Sequence, residues 1–438
     1  MSTSFLDSTT DQPIHDSASE RSLYRKLTLR FAPFLCLCFF AAYLDRVNVG
    51  IAKLQMAGAL GLSDTVYGLG AGLFFVGYIL FEVPSNLLLE KVGARFWIAR
   101  IMVTWGILSG LTMFVTTPTQ FYLVRFLLGV AEAGFLPGAL LYLTYWFPDA
   151  RRGRIIALFM VGLPMSSLLG APLSGWILSY FNGVHGLHGW QWLFLLEAIP
   201  SVVLGILVYV FLPKNYADAR FLTAEEMKRL QHDIGGDRKE QKGHQLGQAF
   251  RDPKVWAVGY LDLCILLCFY SIAFWMPTML REAGVASTVE IGILMAIPNG
   301  LAVIAVLVTG MSSDKFRERR WHVAVPLLCS TVGLIGSAFF SGSPIAIVVL
   351  LSMANAGAAA AMPVVWALPS TFLRGTAAAA GIAFACSIAN LGGFASTYLL
   401  GWLKDLTHSM SAGVIAFGVC VFFGGLLALV MPKRVVNR

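Results

Sequence analysis

Long apolar stretches separated by short polar segments run through the whole chain. Twelve of these stretches reach the length of about 20 residues that an α-helix needs to cross a bilayer. They cover residues 28–52, 65–89, 96–115, 119–146, 154–180, 190–212, 254–280, 287–312, 321–341, 344–370, 376–402 and 409–432. The pattern predicts an all-α membrane protein with twelve transmembrane helices in two six-helix halves, residues 28–212 and 254–432.

A long polar segment, residues 213–253, joins the two predicted halves. It contains a capping-box pattern from Thr223 to Glu226, followed by apolar residues at helical spacing. A short amphipathic helix at the membrane surface and a plain solvated linker both fit this pattern. Residues 1–27 are polar at their start, which predicts a disordered cytoplasmic tail, and residues 433–438 form a second short tail.

The positive charges of the chain are strongly segregated. If the N-terminus is cytoplasmic, nearly all of the 32 lysines and arginines fall in the tails, the linker or the loops on that side. The exceptions are Arg46, Lys53, Arg125, Arg281 and Lys404. We therefore predict a multi-pass protein of a bacterial-type inner membrane with both termini in the cytoplasm. The topology accounts for the net charge of +8, so no nucleic-acid partner is expected.

Composition narrows the function further. The chain is 57% hydrophobic and only 13% charged, whereas soluble domains are about a quarter charged. Such a small share of charged residues cannot cover a water-facing surface. We therefore expect the chain to lie in a lipid bilayer. The seven histidines lie in the tail, loops or span ends, which leaves no buried imidazole for a nucleophile pair, a proton relay or a metal. We expect no enzyme and no cofactor; a non-transporting sensor remains the alternative.

A short motif occurs once in each half. Residues 86–95 read NLLLEKVGAR, and residues 310–319 read GMSSDKFRER. In both copies an acid and a lysine follow four residues after the first position. Two parallel halves of this kind place a binding site between them near the bilayer midplane.

Both copies resemble the signature loop of the major facilitator superfamily, Gly-x-x-x-Asp-Arg/Lys-x-Gly-Arg-Arg/Lys, although they depart from it at several positions. In that family the loop closes the cytoplasmic side by capping helix N-termini and forming ion pairs. The resemblance implies a major facilitator fold. It also implies a gate formed by Glu90, Lys91, Arg95, Asp314 and Lys315.

Five further segments are similar to the anion:cation symporter family within this superfamily. They are LDRVNVGIA over 44–52, EVPSN over 82–86, EAGFLPG over 132–138, YWFP over 145–148 and GWQWLFLLE over 189–197. The resemblance implies a monomeric transporter that imports a small organic anion together with protons. The last segment is most similar to aromatic-acid members such as 4-hydroxyphenylacetate or nicotinate permeases. Sugar acids and tartrate-like hydroxy acids are the alternative substrates.

Ionisable side chains inside the predicted spans are costly to bury and are therefore candidate functional groups. At 1.5 Å per residue, Asp45 and Arg125 lie at similar depth, and Glu132 lies roughly 10 Å deeper on the face of Arg125. We predict that Arg46 and Arg125 bind the substrate carboxylate and that Asp45 and Glu132 carry protons, with ionised Asp45 holding Arg125 until an anion arrives. The alternative is a permanent salt bridge that only joins two helices. Glu82, Glu197 and Asp262 also lie within spans, without an assigned role.

The remaining predicted contacts concern the body of the substrate. By family resemblance, Tyr43, Tyr78 and Asn390 contact it. The second half offers few other polar groups, mainly Asn299 and Asn355, beside alanine-rich stretches. An unpaired buried hydroxyl costs about 1–3 kcal/mol, so a sugar acid requires more partners than these. The composition therefore favours an aromatic carboxylate.

Overall fold

The computed structural model describes residues 18–215, 218–237, 252–316, 318–369 and 375–431, which form helices joined by short connections. The first half contains α1 (Ala18–Leu60), α2 (Asp64–Val92), α3 (Ala94–Leu111), α4 (Pro118–Glu132), α5 (Phe135–Thr144), α6 (Asp149–Met160), α7 (Gly162–Tyr180) and α8 (Gly189–Phe211). The linker contains α9 (Ala224–Asp237). The second half contains α10 (Pro253–Glu282), α11 (Thr288–Phe316), α12 (Arg320–Phe339), α13 (Pro344–Ala367), α14 (Gly375–Thr407) and α15 (Ser411–Val430).

The predicted twelve-span architecture is confirmed. In the part of the chain that the structure describes, eleven helical stretches are long and apolar enough to cross a membrane. The 33-residue α14 occupies the remaining predicted span. The prediction of a disordered tail is wrong for residues 18–27, which form the first turns of α1. These turns are held by contacts with other elements, such as the ion pair between Glu20 and Arg151.

The fourth predicted span consists of two helices, α4 and α5, rather than one. Gly134 adopts the left-handed conformation, with φ of 90°, and separates them. A Cβ atom at Gly134 would lie 2.4 Å from the Ser85 hydroxyl oxygen, so the residue must also be small. The break makes Glu132 the last residue of α4, and sequence periodicity did not predict it.

The two halves repeat one packing arrangement. In the first half, α2 packs on α4, α3 packs on α8, and α1 packs on α7. The corresponding pairs in the second half are α11 with α13, α12 with α15, and α10 with α14. This repetition confirms the prediction of two six-helix halves.

The halves contact each other mainly along three helix pairs, α1 with α10, α2 with α14, and α7 with α11. We call the end of the bundle where α1 begins the near end and the opposite one the far end. Glycines permit close approach at the far end: a Cβ at Gly50 would lie 2.4 Å from the Ala273 carbonyl oxygen. A Cβ at Gly401 would lie 2.3 Å from the Asp64 carbonyl oxygen. The halves are therefore in direct backbone contact at the far end.

A network of ion pairs crosses between the halves at the far end. The Oδ1 atom of Asp64, in α2, lies 2.5 Å from Nζ of Lys53 in α1, and its Oδ2 atom lies 2.8 Å from Nζ of Lys404 in α14. Lys404 also lies 2.5 Å from a carboxylate oxygen of Glu282 in α10. Asp405 accepts hydrogen bonds from the first backbone amides of α2. Lys53 and Lys404, two exceptions to the positive-inside pattern, thus have acidic partners.

The linker helix α9 is docked on the first half. The predicted capping box forms, because Glu226 accepts from the Thr223 backbone amide at 2.8 Å and the Thr223 hydroxyl accepts from the Glu226 amide at 3.2 Å. Glu226 also pairs with Lys26 of α1 at 3.1 Å. The Tyr24 hydroxyl donates to Asp233 at 2.8 Å. The linker thus contains the short helix of the first alternative, and this helix is bound to α1.

Candidate functional site

Arg46 and Glu132 form an ion pair in the middle of the first half. Arg46 comes from α1, and Glu132 lies at the break that ends α4. Both Nε, at 3.1 Å, and Nη2 of Arg46 donate to the same oxygen, Oε1 of Glu132. Glu132 is buried, whereas 14% of the Arg46 side chain is exposed. The arginine is therefore the more accessible partner of the pair.

Aromatic rings surround the Arg46 guanidinium. Its central carbon lies 5.6 Å from the ring centre of Tyr43 and 5.2 Å from those of Phe74 and Tyr78. These distances are within the range of cation–π interactions. The structure therefore places Tyr43 and Tyr78 beside Arg46. Phe74 was not among the predicted residues, since one phenylalanine in an apolar span carries no distinguishing signal.

The second half contributes Tyr270 to this cluster. Arg46 Nη1 donates to the Tyr270 hydroxyl at 3.1 Å, so one guanidinium joins α1, α4 and α10. The Tyr270 ring is buried and packs edge-to-face on Phe75 of α2, with 4.6 Å between ring centres. Sequence reasoning missed this residue. A tyrosine among the apolar residues of α10 gives no sign of a partner in the other half.

Asp45 has a different set of partners from the one that depth predicted. Its carboxylate accepts hydrogen bonds from the Trp105 indole at 3.1 Å, the Ser109 hydroxyl at 2.9 Å and the Ser201 hydroxyl at 2.6 Å. These donors come from α3 and α8, and no ion pair joins Asp45 to Arg125 among the described residues. The expected pairing of Asp45 with Arg125 is therefore corrected. Depth places residues at one level, but the direction around the helix decides which ones meet.

Arg125 is fully buried in α4. Within the described residues, none of its three guanidinium nitrogens has a hydrogen-bond partner. Its guanidinium carbon lies 5.2 Å from the Phe74 ring centre, the same distance as that of Arg46. A buried cation without a partner is costly, and such groups concentrate at functional sites. The two predicted arginines thus share one aromatic neighbour but differ in exposure and partners.

The other intramembrane acids are held by neutral donors. Glu197 accepts from Asn48 at 3.0 Å and from Ser174 at 2.7 Å, which ties α8 to α1 and α7. Asp262 accepts from the Trp366 indole at 3.1 Å within the second half. Glu82 is partly exposed, one turn beyond Tyr78 on α2. None of the three pairs with a cation in the described part of the chain.

The asparagines of the second half do not reach the Arg46 cluster. Asn390 donates to the Cys386 carbonyl of its own helix at 3.0 Å, so no contact yet supports its predicted role. Asn355 donates to the side-chain oxygen of Asn299 at 3.3 Å, joining α13 to α11. Among the described residues, no group of three or more histidine, cysteine or acidic side chains could hold a metal ion.

The predicted gate residues lie at the near end. Glu90 and Lys91 are exposed, and no ion pair to Glu90 forms among the residues that the structure describes. Arg95 donates through Nε, at 2.8 Å, to a backbone carbonyl near the end of α8. Lys315 is exposed at the end of α11, and the Asp314 side chain lies outside the described part. Among the gate side chains that the structure describes, none of the first half therefore contacts one of the second half.

With this geometry in place, comparison with known proteins decides the family. The sequence model of the Major Facilitator Superfamily matches residues 35–397. This chain belongs to the major facilitator superfamily. It is a membrane transporter by family, and the superfamily does not consist of enzymes.

Relatives and solved structures agree with this membership. The chain is 54% identical, over 95% of its length and 96% of the relative's, to NicT of Pseudomonas putida, a protein named for metabolite transport. It is 44% identical, over 96% and 94%, to an Agrobacterium vitis protein named for tartrate transport. A bacterial homologue of the lysosomal transporter Spinster, solved in an inward-facing and occupied conformation, superposes with a TM-score of 0.75. At 15% identity, covering 93% of this chain and 96% of that one, the similarity shows the shared fold.

Proposed function

We propose that this major facilitator transporter imports an organic carboxylate together with protons, and that the substrate is an aromatic or heteroaromatic acid such as nicotinate or 4-hydroxyphenylacetate. One observation carries the proposal. A partly exposed arginine, Arg46, is held by a single buried carboxylate and is surrounded by three aromatic rings. This combination offers a cation for a carboxylate and apolar faces for a planar ring.

The anion binds by taking the place of Glu132 on Arg46. A guanidinium presents two parallel N–H donors to a carboxylate, and Glu132 Oε1 already occupies the Nε and Nη2 positions. A substrate carboxylate needs the same two donors. Arg125, which has no hydrogen-bond partner in the part of the chain that the structure describes, is the second cation of the proposed clamp. Tyr43, Tyr78 and Asn390 complete the proposed substrate contacts.

Charge balance gives the reason for proton coupling. Arg46 with ionised Glu132 is neutral, and Arg46 with a bound anion and protonated Glu132 is neutral as well. An anion without the proton, or a proton without the anion, leaves a net charge in a buried site at a cost of several kcal/mol. The transporter then changes between its outward-open and inward-open states only when the anion and the proton are both bound or both absent. Glu132 is the proposed main proton carrier, and Asp45, adjacent to Arg46, is the proposed second one.

The surroundings of Arg46 favour an aromatic acid over a hydroxylated one. The rings of Tyr43, Phe74 and Tyr78 provide flat contact area. The Asn299 and Asn355 amides are bonded to each other, so they offer fewer free groups for several hydroxyls. A tartrate-like hydroxy acid is the second candidate, and the relative named for tartrate transport supports it.

The same proposal includes the topology, the oligomeric state, the membrane and the gate of the transporter. Both termini lie in the cytoplasm, and the protein acts as a monomer in a bacterial inner membrane. Glu90, Lys91 and Arg95 close the near end against Asp314 and Lys315 when the far end opens. The exposure of Glu90 and Lys91 while the far end is closed is compatible with such an alternation.

Uptake by purified protein in liposomes tests the proposal. We expect accumulation of radiolabelled nicotinate or 4-hydroxyphenylacetate when the outside is acidic, and acidification of the lumen on adding the unlabelled acid. Protein-free liposomes and an uncoupler are the controls. Accumulation of tartrate alone would select the second candidate. Accumulation that persists after the uncoupler collapses the gradient would contradict proton coupling.

A further inference from the structure

The contact between Arg46 and Tyr270 differs from the other contacts of Arg46, because it crosses between the halves. Glu132, Tyr43, Phe74 and Tyr78 all belong to the first half, whereas Tyr270 belongs to α10. A transporter that alternates between two open states moves its halves relative to each other. Motion of the halves therefore acts on the Arg46–Tyr270 hydrogen bond, whereas the bonds within the first half can stay intact.

This bond is part of the α1–α10 contact, which continues from it toward the far end. One turn further along α1, Gly50 packs against the backbone of Ala273 and Phe274. The next step is Lys53, whose ammonium lies 3.9 Å from the ring centre of Trp275. Beyond it lie the ion pairs of the far end. A continuous row of contacts thus connects the proposed anion clamp to the far-end closure.

We infer that Tyr270 is a positioning residue whose hydroxyl, by accepting from Arg46, stabilises closure of the far end around the proposed site. Arg46 offers one edge, Nε and Nη2, to a carboxylate, and it offers Nη1 to Tyr270. The two interactions use different nitrogens, so an anion can occupy the first while closure forms the second. The part of the inference that concerns the substrate rests on the proposed function of Arg46. The part that concerns closure rests only on the observed contact between Arg46 and Tyr270.

The matched pair Tyr270→Phe and Tyr260→Phe tests this role. The Phe variant of Tyr270 keeps the ring that packs on Phe75 and removes only the hydroxyl. Tyr260 lies on the same helix, and its hydroxyl donates to the Cys420 carbonyl at 3.0 Å within the second half. The two variants therefore make the same chemical change with and without loss of a contact between the halves.

Accessibility of a far-end cysteine gives a readout that needs no substrate. Thr397 is fully buried on α14, with its hydroxyl 2.9 Å from where a Cβ of Gly72 would lie on α2. We expect maleimide labelling of Thr397→Cys in purified protein to rise several-fold when Tyr270→Phe is added and to stay unchanged with Tyr260→Phe. The parent chain without the new cysteine supplies the background.

Transport kinetics give the second readout. A hydrogen bond to a charged group shifts an equilibrium by about tenfold or more, so we expect Tyr270→Phe to lower Vmax per transporter about tenfold without raising KM. A raised KM with unchanged labelling would overturn the inference, since it would make Tyr270 a substrate contact only. Labelling and kinetics equal to those of the parent would overturn it too. Normal uptake by Arg46→Lys would instead refute the proposed clamp, whatever the labelling shows.

Discussion

At the scale of single residues, two arginines with opposite environments define the site. Arg46 is partly exposed and has Glu132 and Tyr270 as partners. Arg125 is fully buried and has no hydrogen-bond partner among the described residues. The first environment suits a group that exchanges one anion for another. The environment of Arg125 indicates a role other than stabilising the fold, because an unpaired buried charge destabilises a fold.

Replacing Arg46 with lysine tests the clamp. Lysine keeps the charge but lacks the planar pair of N–H donors, so we expect Arg46→Lys to lose at least nine-tenths of uptake while reaching the membrane at the normal level. Arg100→Lys is the control, since Arg100 lies within α3, stacked on Trp97 at 3.9 Å, away from the cluster. Uptake with normal KM and Vmax in Arg46→Lys would contradict the clamp.

Arg125→Met separates function from stability at the second arginine. Burial of one charge without a hydrogen-bonded partner costs several kcal/mol, and an apolar side chain of similar volume avoids that cost. We therefore expect an unchanged or raised melting temperature together with loss of uptake, measured by thermal unfolding and by liposome transport. A large drop in melting temperature would mean that Arg125 is mainly structural, and full uptake would remove it from the mechanism.

At the scale of helices, glycines decide how closely the halves approach. Gly50 of α1 faces the backbone of α10 at a distance that leaves no room for a methyl group. Gly68 of α2 is equally close to α14, because a Cβ at Gly68 would lie 2.4 Å from the Thr397 carbonyl oxygen. Any larger side chain must push the helices apart at the far end, since backbone atoms cannot rotate away.

The substitution Gly50→Ala tests this closure. Overpacking of a tight contact costs about 1–3 kcal/mol, which predicts a loss of transport rate of about fivefold or more and increased labelling of Thr397→Cys. Gly58→Ala is the control on the same helix, because a Cβ there meets nothing within 4 Å. Equal rates and equal labelling for the two variants would show that the α1–α10 contact does not limit the cycle.

At the scale of the whole molecule, hydropathy and charge predicted the fold but not the pairings. Apolar length alone located the spans, because every backbone group in a bilayer must be bonded within its own helix. The partners of Asp45 and the contribution of Tyr270 depend on how helices rotate and how the halves pack, which a single chain does not reveal. The break at Gly134 that positions Glu132 likewise combines a left-handed backbone with a close approach to Ser85, and neither is visible in the hydropathy pattern.

Reporter fusions check the predicted orientation of the molecule. Because the positive-inside pattern assigns both termini and the linker to the cytoplasm, fusions after Arg95, Asp237 and Arg438 should all give a cytoplasmic signal. A fusion at Gly61, in the short connection between α1 and α2, is the periplasmic control. A periplasmic signal after any of the first three residues would contradict the topology.

The most direct test of the central claim is gradient-driven uptake by Glu132→Gln. Glutamine keeps the shape of the side chain but can neither neutralise Arg46 nor exchange a proton. The account predicts that this variant no longer accumulates substrate above the external concentration under an imposed pH gradient, yet retains counterflow exchange. Glu197→Gln, a buried acid with neutral partners only, should accumulate normally. Accumulation by Glu132→Gln at the wild-type level would contradict coupling through the Arg46–Glu132 pair.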